Sequence, residues 1–329
     1  MKVCIVGAGA IGGFIGARLA ATGACSVSAL ARGATLEALQ SHGWRLRQKG
    51  GLVQVPATAS DRTEALGPQD LVVVAVKGPA LAAVADGLAP LLGPDTAVLP
   101  AMNGVPWWFA QGLLPPEQAR LSTIDPDGRI ARGIPLARVI GCVVHASTST
   151  PEPGVVQHHM GGGLVIGEPD GSSSERVERI VALLAQAGFD ATASRAIRQD
   201  IWYKLWGNMT MNPVSAITGA TVDRILDDPL VRRFCSDAMD EAARIGLELG
   251  CAIDQSAEDR HAVTRKLGAF KSSMLQDAEA GRPLELDAIV AVVRELGRKV
   301  GVPTPSIDAL FGLARLYGRA HGLYPDVSA

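Results

Sequence analysis

The chain has few of the features that mark several protein classes. Its 329 residues include only 14 aromatic side chains, and its charges nearly cancel, with 31 Lys and Arg against 33 Asp and Glu. A net charge of −2 without a basic cluster offers no electrostatic surface for nucleic acid or for an anionic membrane. No apolar run approaches the roughly 18 residues that a membrane-spanning helix needs. We therefore expect neither a nucleic-acid partner nor a membrane partner.

Cysteine is scarce as well. The five cysteines lie far apart, without paired spacing: Cys4, Cys25, Cys142, Cys235 and Cys251. An odd, unpatterned set is typical of reduced thiols, so we expect a cytoplasmic protein. The apolar run Val3–Ala17 is similar to the core of a signal peptide, but its five glycines disfavour that interpretation. His158 and His159 are adjacent and would point to opposite faces of a strand, and we predict no metal site.

What the chain does contain is glycine, 37 residues, and apolar side chains, 47% of the total. Up to about residue 193, strand patterns alternate with helical patterns, which is typical of an α/β sheet covered on both faces. From residue 199 onward only helical patterns follow, over 200–211, 230–249, 258–280, 285–300 and 306–319. The length favours two domains. The sequence therefore predicts an α/β domain over 1–193 and an all-helical domain over 194–329.

A glycine motif follows the first predicted strand. Gly7, Gly9 and Gly12 form a GxGxxG sequence between the strand Lys2–Val6 and a helical pattern, which is the context in which this motif binds a dinucleotide. The first glycine permits a tight turn, the second lets the backbone approach a pyrophosphate, and the third lets the helix pack on the strand. The amides at the helix start, including those of Ala10 and Ile11, would bind the phosphates. The first domain is thus predicted to be a Rossmann-type dinucleotide-binding domain; a glycine-rich turn without a ligand is the alternative.

The end of the second predicted strand indicates whether the dinucleotide is NAD or NADP. An NAD-binding chain usually carries Asp or Glu there, to accept a hydrogen bond from the ribose 2′-hydroxyl. This strand ends at Arg32 instead, with no acid near it in sequence. Because a guanidinium can pair with a 2′-phosphate, we predict NADP (NADPH) as the cofactor. An ordinary exposed loop arginine is the alternative.

Two further loops follow predicted strands. Lys77 stands just after one strand, and Asn103 with Gly104 stands just after the next. Ligands of an open parallel sheet bind outside the carboxyl ends of its strands, so both loops are candidates to line the cofactor cleft. A solvated lysine and a plain Asn-Gly turn are equally good interpretations of these residues taken alone.

A polar stripe marks the second domain. Lys204, Asn208 and Asn212 recur at i, i+4 and i+8, so they share one face of a helix. Asn is a poor helix former, which indicates that this face has a use, although a solvated helix face is the alternative. Six of the 14 aromatics stand beside Asn103 or Lys204 in sequence, which favours an occluded apolar site: Trp107, Trp108, Phe109, Trp202, Tyr203 and Trp206.

In order and spacing, these motifs resemble the ketopantoate reductase (2-dehydropantoate 2-reductase) family along the whole chain. The matching segments are the glycine loop, Arg32, Lys77, Asn103-Gly104, the Lys204 stripe, Ser272–Asp277, Gly281-Arg282 with Glu285, and Gly301–Pro305. The resemblance implies reduction of a 2-oxo acid, ketopantoate, to pantoate by NADPH in pantothenate biosynthesis. It also implies that Lys204 is the general acid and Glu285 a second catalytic carboxylate. Asn208, Asn212 and Ser273 would bind the substrate, and Asn103 would lie by the nicotinamide and the substrate.

The chain departs from the family pattern beside these motifs. Leu284 stands where the family usually has Thr, Ile289 and Val290 stand where Asn-Gly is usual, and Trp107-Trp108 is bulkier than the family's small residues. Reduction of another 2-oxo acid on the same scaffold is therefore the alternative function. A non-catalytic NADP-binding sensor is disfavoured because Lys204 and Glu285 are both present. We also expect a homodimer through the helical domain, since long helices with apolar stripes often pair.

Overall fold

The computed structural model describes residues 1–326 and divides into two compact units. The first unit contains Met1–Trp108 and Asp127–Asp200. The second contains Phe109–Pro126 and the chain from Ile201 onward. The segment Phe109–Pro126 thus interrupts the first unit in sequence and belongs to the second.

The first unit is built on a five-stranded parallel sheet. Its strands lie in the order β5-β2-β1-β6-β7, with every pair parallel. Their bounds are β1 Lys2–Val6, β2 Ser26–Leu30, β5 Thr58–Ser60, β6 Gln69–Val74 and β7 Leu92–Pro100. The chain runs outward from β1 to one edge and then returns to the other side of β1. The strand order therefore reverses at β1, where open parallel sheets bind their ligands.

A second, mixed sheet lies in the same unit. Its strands are β3 Trp44–Gln48, β4 Gly51–Val55, β8 Gly141–Glu152, β9 Val155–Gly167 and β10 Asp190–Ala193. The order is β10-β9-β3-β4, and β8 pairs antiparallel with β9. Strands β8 and β9 form one extended antiparallel hairpin.

The first helix packs between the two sheets. The helices of this unit are α1 Ala10–Thr22, α2 Gly33–His42, α3 Leu81–Gly87, α4 Arg129–Gly133 and α5 Glu175–Gln186. Helix α1 contacts β1 and β2 on one side and β3, β4, β8 and β9 on the other. A Cβ on Gly16 would lie 2.4 Å from the Trp44 ring, so the second sheet approaches the helix backbone closely. A helix buried on both sides is apolar all round, which explains the part of the run Val3–Ala17 that lies in α1, from Ala10 onward.

The second unit is helical. Its helices are α6 Ile197–Thr218, which begins within the first unit, α7 Val222–Asp227, α8 Pro229–Glu248, α9 Ala257–Arg265, α10 Ser273–Glu279, α11 Val292–Val300 and α12 Pro305–Ala320, with a π-helical turn at Asp287–Ala291. Met211 and Val214 of α6 pack with Leu226, Cys235 and Leu310 in one apolar cluster. Within residues 1–326, no helix combines the length and the hydrophobicity needed to cross a membrane.

The predicted fold class is confirmed: a Rossmann-type α/β unit followed by helices. Two helix predictions are wrong. The single helix expected over 258–280 is two helices, because Gly268 adopts a left-handed backbone (φ 62°) and Ser272 caps a new start. Helix α6 does not stop before Pro213 but continues to Thr218. The surrounding residues of α6 are buried, and their packing outweighs the hydrogen bond that proline cannot make.

Candidate active site

Four predicted cofactor loops lie at one edge of the parallel sheet. They follow β1, β2, β6 and β7, which are neighbours in that sheet. Backbone hydrogen bonds hold the strand ends together: the Gly7 amide donates to Leu30 O (3.1 Å), and the Ala101 amide donates to Val74 O (2.8 Å). The structure therefore brings Gly7, Arg32, Lys77 and Asn103 to the same edge.

The glycine loop has the shape of a phosphate cradle. Gly7 has φ 90°, and a Cβ there would lie 2.6 Å from the Val76 side chain. A Cβ on Gly12 would lie 2.1 Å from Gly7 O, so helix and loop are in close contact. Gly9 differs, because a Cβ there would meet no atom within 4 Å. The missing side chain at Gly9 leaves its backbone open for a ligand, as a bound pyrophosphate requires.

The start of α1 is available to an anion. Gly9 is the residue before the helix, and no side chain caps its first turn. The first turn also lacks an acidic residue. The first amides of a helix need acceptors, and the helix dipole favours a negative one. The residues present, Ala10 and Ile11 among them, thus fit a dinucleotide phosphate.

Arg32 is exposed at the start of α2, on an extended backbone. Its guanidinium makes no ion pair or hydrogen bond with another residue of the described chain. Strand β5 pairs with β2 at Leu30 and Ser60, so Asp61 and Arg62 follow at the same edge as Arg32. Sequence patterns did not reveal these two residues, because β5 is only three residues long.

Lys77 and Asn103 lie in the remaining two loops. Lys77 is exposed and precedes a short 3-10 turn at Gly78–Ala80. Asn103 is half-buried and precedes Gly104, whose φ of 85° forms the turn. Both side chains are therefore at the sheet edge where the resemblance expects them, and their roles stay predictions.

The polar stripe lies on one continuous helix. Lys204 and Asn208 are half-buried on α6, and Asn212 is 6% exposed. Neither asparagine side chain makes a hydrogen bond with another described residue. Buried amides are normally satisfied, so an amide like that of Asn212 is suited to bind a polar ligand. Lys204, Asn208 and Asn212 thus form the polar face that their spacing predicts.

Two of the aromatic residues beside Lys204, Trp202 and Trp206, lie on a different side of α6. Trp202 and Trp206 are fully buried, and their indole N–H groups donate to the α8 carbonyls of Ala242 (3.2 Å) and Met239 (2.7 Å). The occluded apolar site expected from the aromatic residues near Lys204 is wrong for these two rings, which pack toward α8. Two residues along a helix is a rotation of about 200°, which turns them away from the stripe.

Ser273 begins helix α10. It is exposed, whereas its neighbour Ser272 is buried and accepts the Leu275 amide in a helix cap (3.0 Å). Phe270, just before them, packs on the apolar cluster that holds Met211 of α6, and its carbonyl accepts the Val222 amide. The Ser272–Ser273 segment is thereby tied to the end of α6 that carries Asn212.

Glu285 is half-buried between α10 and the π-helical turn. The backbone around it is fixed, since the Leu284 amide donates to Leu323 O (2.8 Å) and Tyr324 donates to the Asp287 carboxylate (2.5 Å). Burial raises the pKa of Asp287, which the Tyr324 hydrogen bond only partly offsets. Asp287 thus serves as a structural carboxylate two residues from Glu285.

The departures from the family pattern are core positions in the structure. All five side chains are buried: Trp107, Trp108, Leu284, Ile289 and Val290. Leu284 also lies within 3.7 Å of where a Cβ on Gly318 of α12 would stand. At each of these positions the apolar side chain lies in the core.

The Rossmann unit with its four loops at the sheet edge, and the helical unit with the polar face of α6, are typical of a nucleotide-dependent oxidoreductase. Comparison with known proteins gives the family. Residues 3–171 match the family described as ketopantoate reductase PanE/ApbA, and residues 196–318 match its C-terminal domain. The chain belongs to the ketopantoate reductase family, an NAD(P)-dependent family, as its motifs predict.

Individual relatives agree along their full length. A 2-dehydropantoate 2-reductase from Mesorhizobium japonicum is 44% identical over 325 residues, covering 98% of this chain and 100% of the relative. A solved structure from Ralstonia solanacearum MolK2, provisionally described as a ketopantoate reductase, is 57% identical with a TM-score of 0.94, covering 98% and 99% of the two chains. A D-mandelate dehydrogenase with NADH, at 20% identity and a TM-score of 0.84 over 98% and 100% of the two chains, shares the fold alone. The predicted enzyme class is confirmed.

Proposed function

We propose that the chain reduces ketopantoate (2-dehydropantoate) to pantoate with NADPH, and that Lys204 is the general acid. The observation that carries this is the polar face of α6. On it, Lys204 is followed by the side-chain amides of Asn208 and Asn212, which make no hydrogen bond with a described residue. The full-length similarity to a 2-dehydropantoate 2-reductase supports the substrate. Reduction of another 2-oxo acid is the second outcome that the assay below must separate.

Lys204 suits the chemistry at the carbonyl oxygen. NADPH, when bound, supplies the hydride that reduces the carbonyl carbon. As the C=O π bond breaks, negative charge develops on the oxygen, and the Lys204 ammonium stabilises this charge and then donates the proton that completes the hydroxyl. The lysine is left neutral and regains its proton from solvent.

The neighbouring polar groups would orient the substrate. Asn208, Asn212 and Ser273 can donate to a carboxylate or exchange hydrogen bonds with a hydroxyl without adding a second full charge beside Lys204. Glu285 would anchor Lys204 or accept from the substrate hydroxyl. These assignments account for a 2-oxo acid that also carries a hydroxyl, which is the chemistry of ketopantoate.

The edge of the parallel sheet would hold the cofactor. The amides after Gly9 would bind the pyrophosphate, and Arg32 would pair with the 2′-phosphate. Arg62, at the end of the neighbouring strand, adds a second guanidinium at that edge. Lys77 would bind cofactor phosphate, and Asn103 would lie by the nicotinamide.

The test is NADPH oxidation with ketopantoate and a panel of 2-oxo acids. Lys204→Ala should lower kcat by about 10²- to 10⁴-fold, the usual contribution of a general acid. Lys49→Ala, in an exposed turn between β3 and β4, is the matched control and should leave kcat unchanged. Turnover of no 2-oxo acid would overturn the proposal. A higher rate with another 2-oxo acid than with ketopantoate would show that this other acid is the preferred substrate.

A homodimer through the helical unit is part of the same proposal. Leu230, Leu313 and Leu316 are 81%, 58% and 66% exposed on α8 and α12. A ketopantoate reductase from Staphylococcus aureus, 22% identical and similar in fold (TM-score 0.74), is described as dimeric. Sedimentation equilibrium measures the mass directly, and a monomer at all concentrations would remove this part of the proposal.

A further inference from the structure

Helix α6 is held on two flanks. On one, the indoles of Trp202 and Trp206 donate to α8 carbonyls. On the other, Arg260 of α9 lies against Tyr203 and Gly207. Neither contact uses the face with Lys204 and Asn208, so both act on the orientation of the helix that presents that face.

Arg260 contacts Tyr203 in two ways. Its guanidinium carbon lies 4.7 Å from the ring centroid, over the ring, and its Nη1 donates to the Tyr203 hydroxyl (3.3 Å). The hydroxyl in turn donates to Gln255 Oε1 (2.9 Å). A guanidinium stacked on a ring is an attractive contact of known strength. Tyr203 is thus held by Arg260 in the first turn of α9 and by Gln255 just before that helix.

One turn further, Arg260 occupies the space of a side chain. A Cβ on Gly207 would lie 2.9 Å from Arg260 Nε and 3.1 Å from Nη2. Glycine inside a helix is about 1 kcal/mol less favourable than alanine. The glycine is explained by Arg260, which reaches the backbone of α6 only because no side chain is present at position 207.

The packing of Arg260 against α6 buries a polar atom, which is unfavourable unless the contact has a use. Arg260 forms no ion pair with a described residue, and its Nε is buried without a hydrogen-bond partner. Buried polar atoms without partners are rare and call for an explanation. Arg260 contacts Tyr203, the residue before Lys204, and Gly207. Gly207 is three residues after Lys204, and residues three apart are neighbours on a helix surface.

We propose that Arg260 is a positioning residue. By packing against Tyr203 and Gly207, it sets the rotation of α6 about its axis, and this rotation determines the direction in which the Lys204 and Asn208 side chains project. This rests on the proposed role of Lys204. The effect is catalytic because a displacement of about 1 Å at a reacting group can lower the rate about 10²-fold.

A double-mutant cycle between Arg260 and Gly207 tests this. Arg260→Met should lower kcat with ketopantoate by about 10- to 100-fold, with a smaller change in KM and an unchanged Kd for NADPH. Gly207→Ala should have the same effect, because its methyl displaces Arg260. In the Arg260→Met background the methyl has room, so Gly207→Ala should then cost less than about twofold.

Conservative variants and a matched control complete the design. Arg260→Lys keeps a cation for the ring and should recover part of kcat. Tyr203→Phe removes only the hydroxyl, should lower kcat about threefold, and serves if Arg260→Met folds poorly. Arg233→Met, an exposed arginine of α8 paired with Asp237, should change nothing.

The outcomes separate the two proposals. If the Arg260 variants keep kcat and lose only Tm, Arg260 is a structural brace and this inference is wrong. Additive losses in the Arg260–Gly207 cycle would also overturn it. If the wild-type enzyme turns over no 2-oxo acid, the proposed function fails first and this inference fails with it.

Discussion

The Glu295 carboxylate of α11 accepts two hydrogen bonds from Ser122, from its backbone amide at 2.8 Å and its hydroxyl at 3.0 Å. The Thr123 amide donates to the second carboxylate oxygen, also at 2.8 Å. Glu295 is 5% exposed. Burial alone would raise its pKa, but the hydrogen bonds from Thr123 and Ser122 together bring it below the ordinary value. One carboxylate therefore fastens the segment Phe109–Pro126 to the helices.

Replacing this carboxylate should destabilise the second unit. Glu295→Gln keeps the shape but turns one oxygen into a donor that faces an amide, and we expect a loss of about 1 to 3 kcal/mol in the free energy of unfolding. Urea denaturation measures it, with exposed Glu248→Gln as the control. Because the folded-state pKa is lowered, the contribution of Glu295 is present above the unfolded pKa and is lost as the pH falls through the folded pKa. Equal stability of the two variants would show that the carboxylate does not hold the segment.

His261 should limit stability at mildly acidic pH. The ring is 3% exposed, neither nitrogen has a hydrogen-bond partner, and burial lowers its pKa despite Glu258 at 3.6 Å. A lowered folded pKa means that the neutral ring supports the fold above the unfolded value near 6.5 and that stability is lost as the pH falls below it. We expect His261→Leu to be as stable as the wild type or more stable at pH 8. Its Tm should also fall less between pH 7 and pH 5; a wild-type pH profile in the variant would contradict this.

Arg32 should discriminate between the two nicotinamide cofactors. Arg32→Ala removes the guanidinium proposed to pair with the 2′-phosphate, which NADH lacks, so the Kd for NADPH should rise about tenfold or more while that for NADH stays the same. Fluorescence titration measures both. Arg47→Ala, an exposed arginine of β3 paired with Glu152, is the control. Equal weakening of both cofactors would remove the role given to Arg32.

Gly9 and Gly12 should respond to alanine in opposite ways. A methyl on Gly9 meets no protein atom, so Gly9→Ala should keep the wild-type Tm and lose NADPH affinity. A methyl on Gly12 would lie 2.1 Å from Gly7 O, so Gly12→Ala should lower Tm. Calorimetry and cofactor titration on the same samples separate the two effects. Unchanged NADPH affinity in Gly9→Ala would argue against a pyrophosphate at this loop.

Features that depend on local sequence could be predicted. The turn at Gly7 follows a strand directly, and the stripe from Lys204 to Asn212 follows from helical spacing alone. The break between α9 and α10 could not be placed, because the pattern across Gly268 continues the helical period on both sides. Ser272 and Ser273 are adjacent residues of the same type, so the sequence alone does not show which of them caps the helix.

Features that depend on distant contacts could not be predicted. Glu295 and Ser122 are 173 residues apart, and no sequence pattern links them. The same holds for Arg260 beside Gly207, since an arginine on a helix usually faces solvent. Nearness to Lys204 in sequence could not show that Trp202 and Trp206 turn toward α8, because that depends on how the helices pack.

The position of α1 between two sheets has a consequence for ligand binding. Both sheets pack against this helix, so a shift of its amide end would require both to repack. The proposed phosphate cradle is therefore preorganised, and little conformational entropy would be lost if a nucleotide bound there. Amide hydrogen exchange in α1 should be slow without cofactor and change little with it, so affinity depends on contacts rather than on ordering the loop.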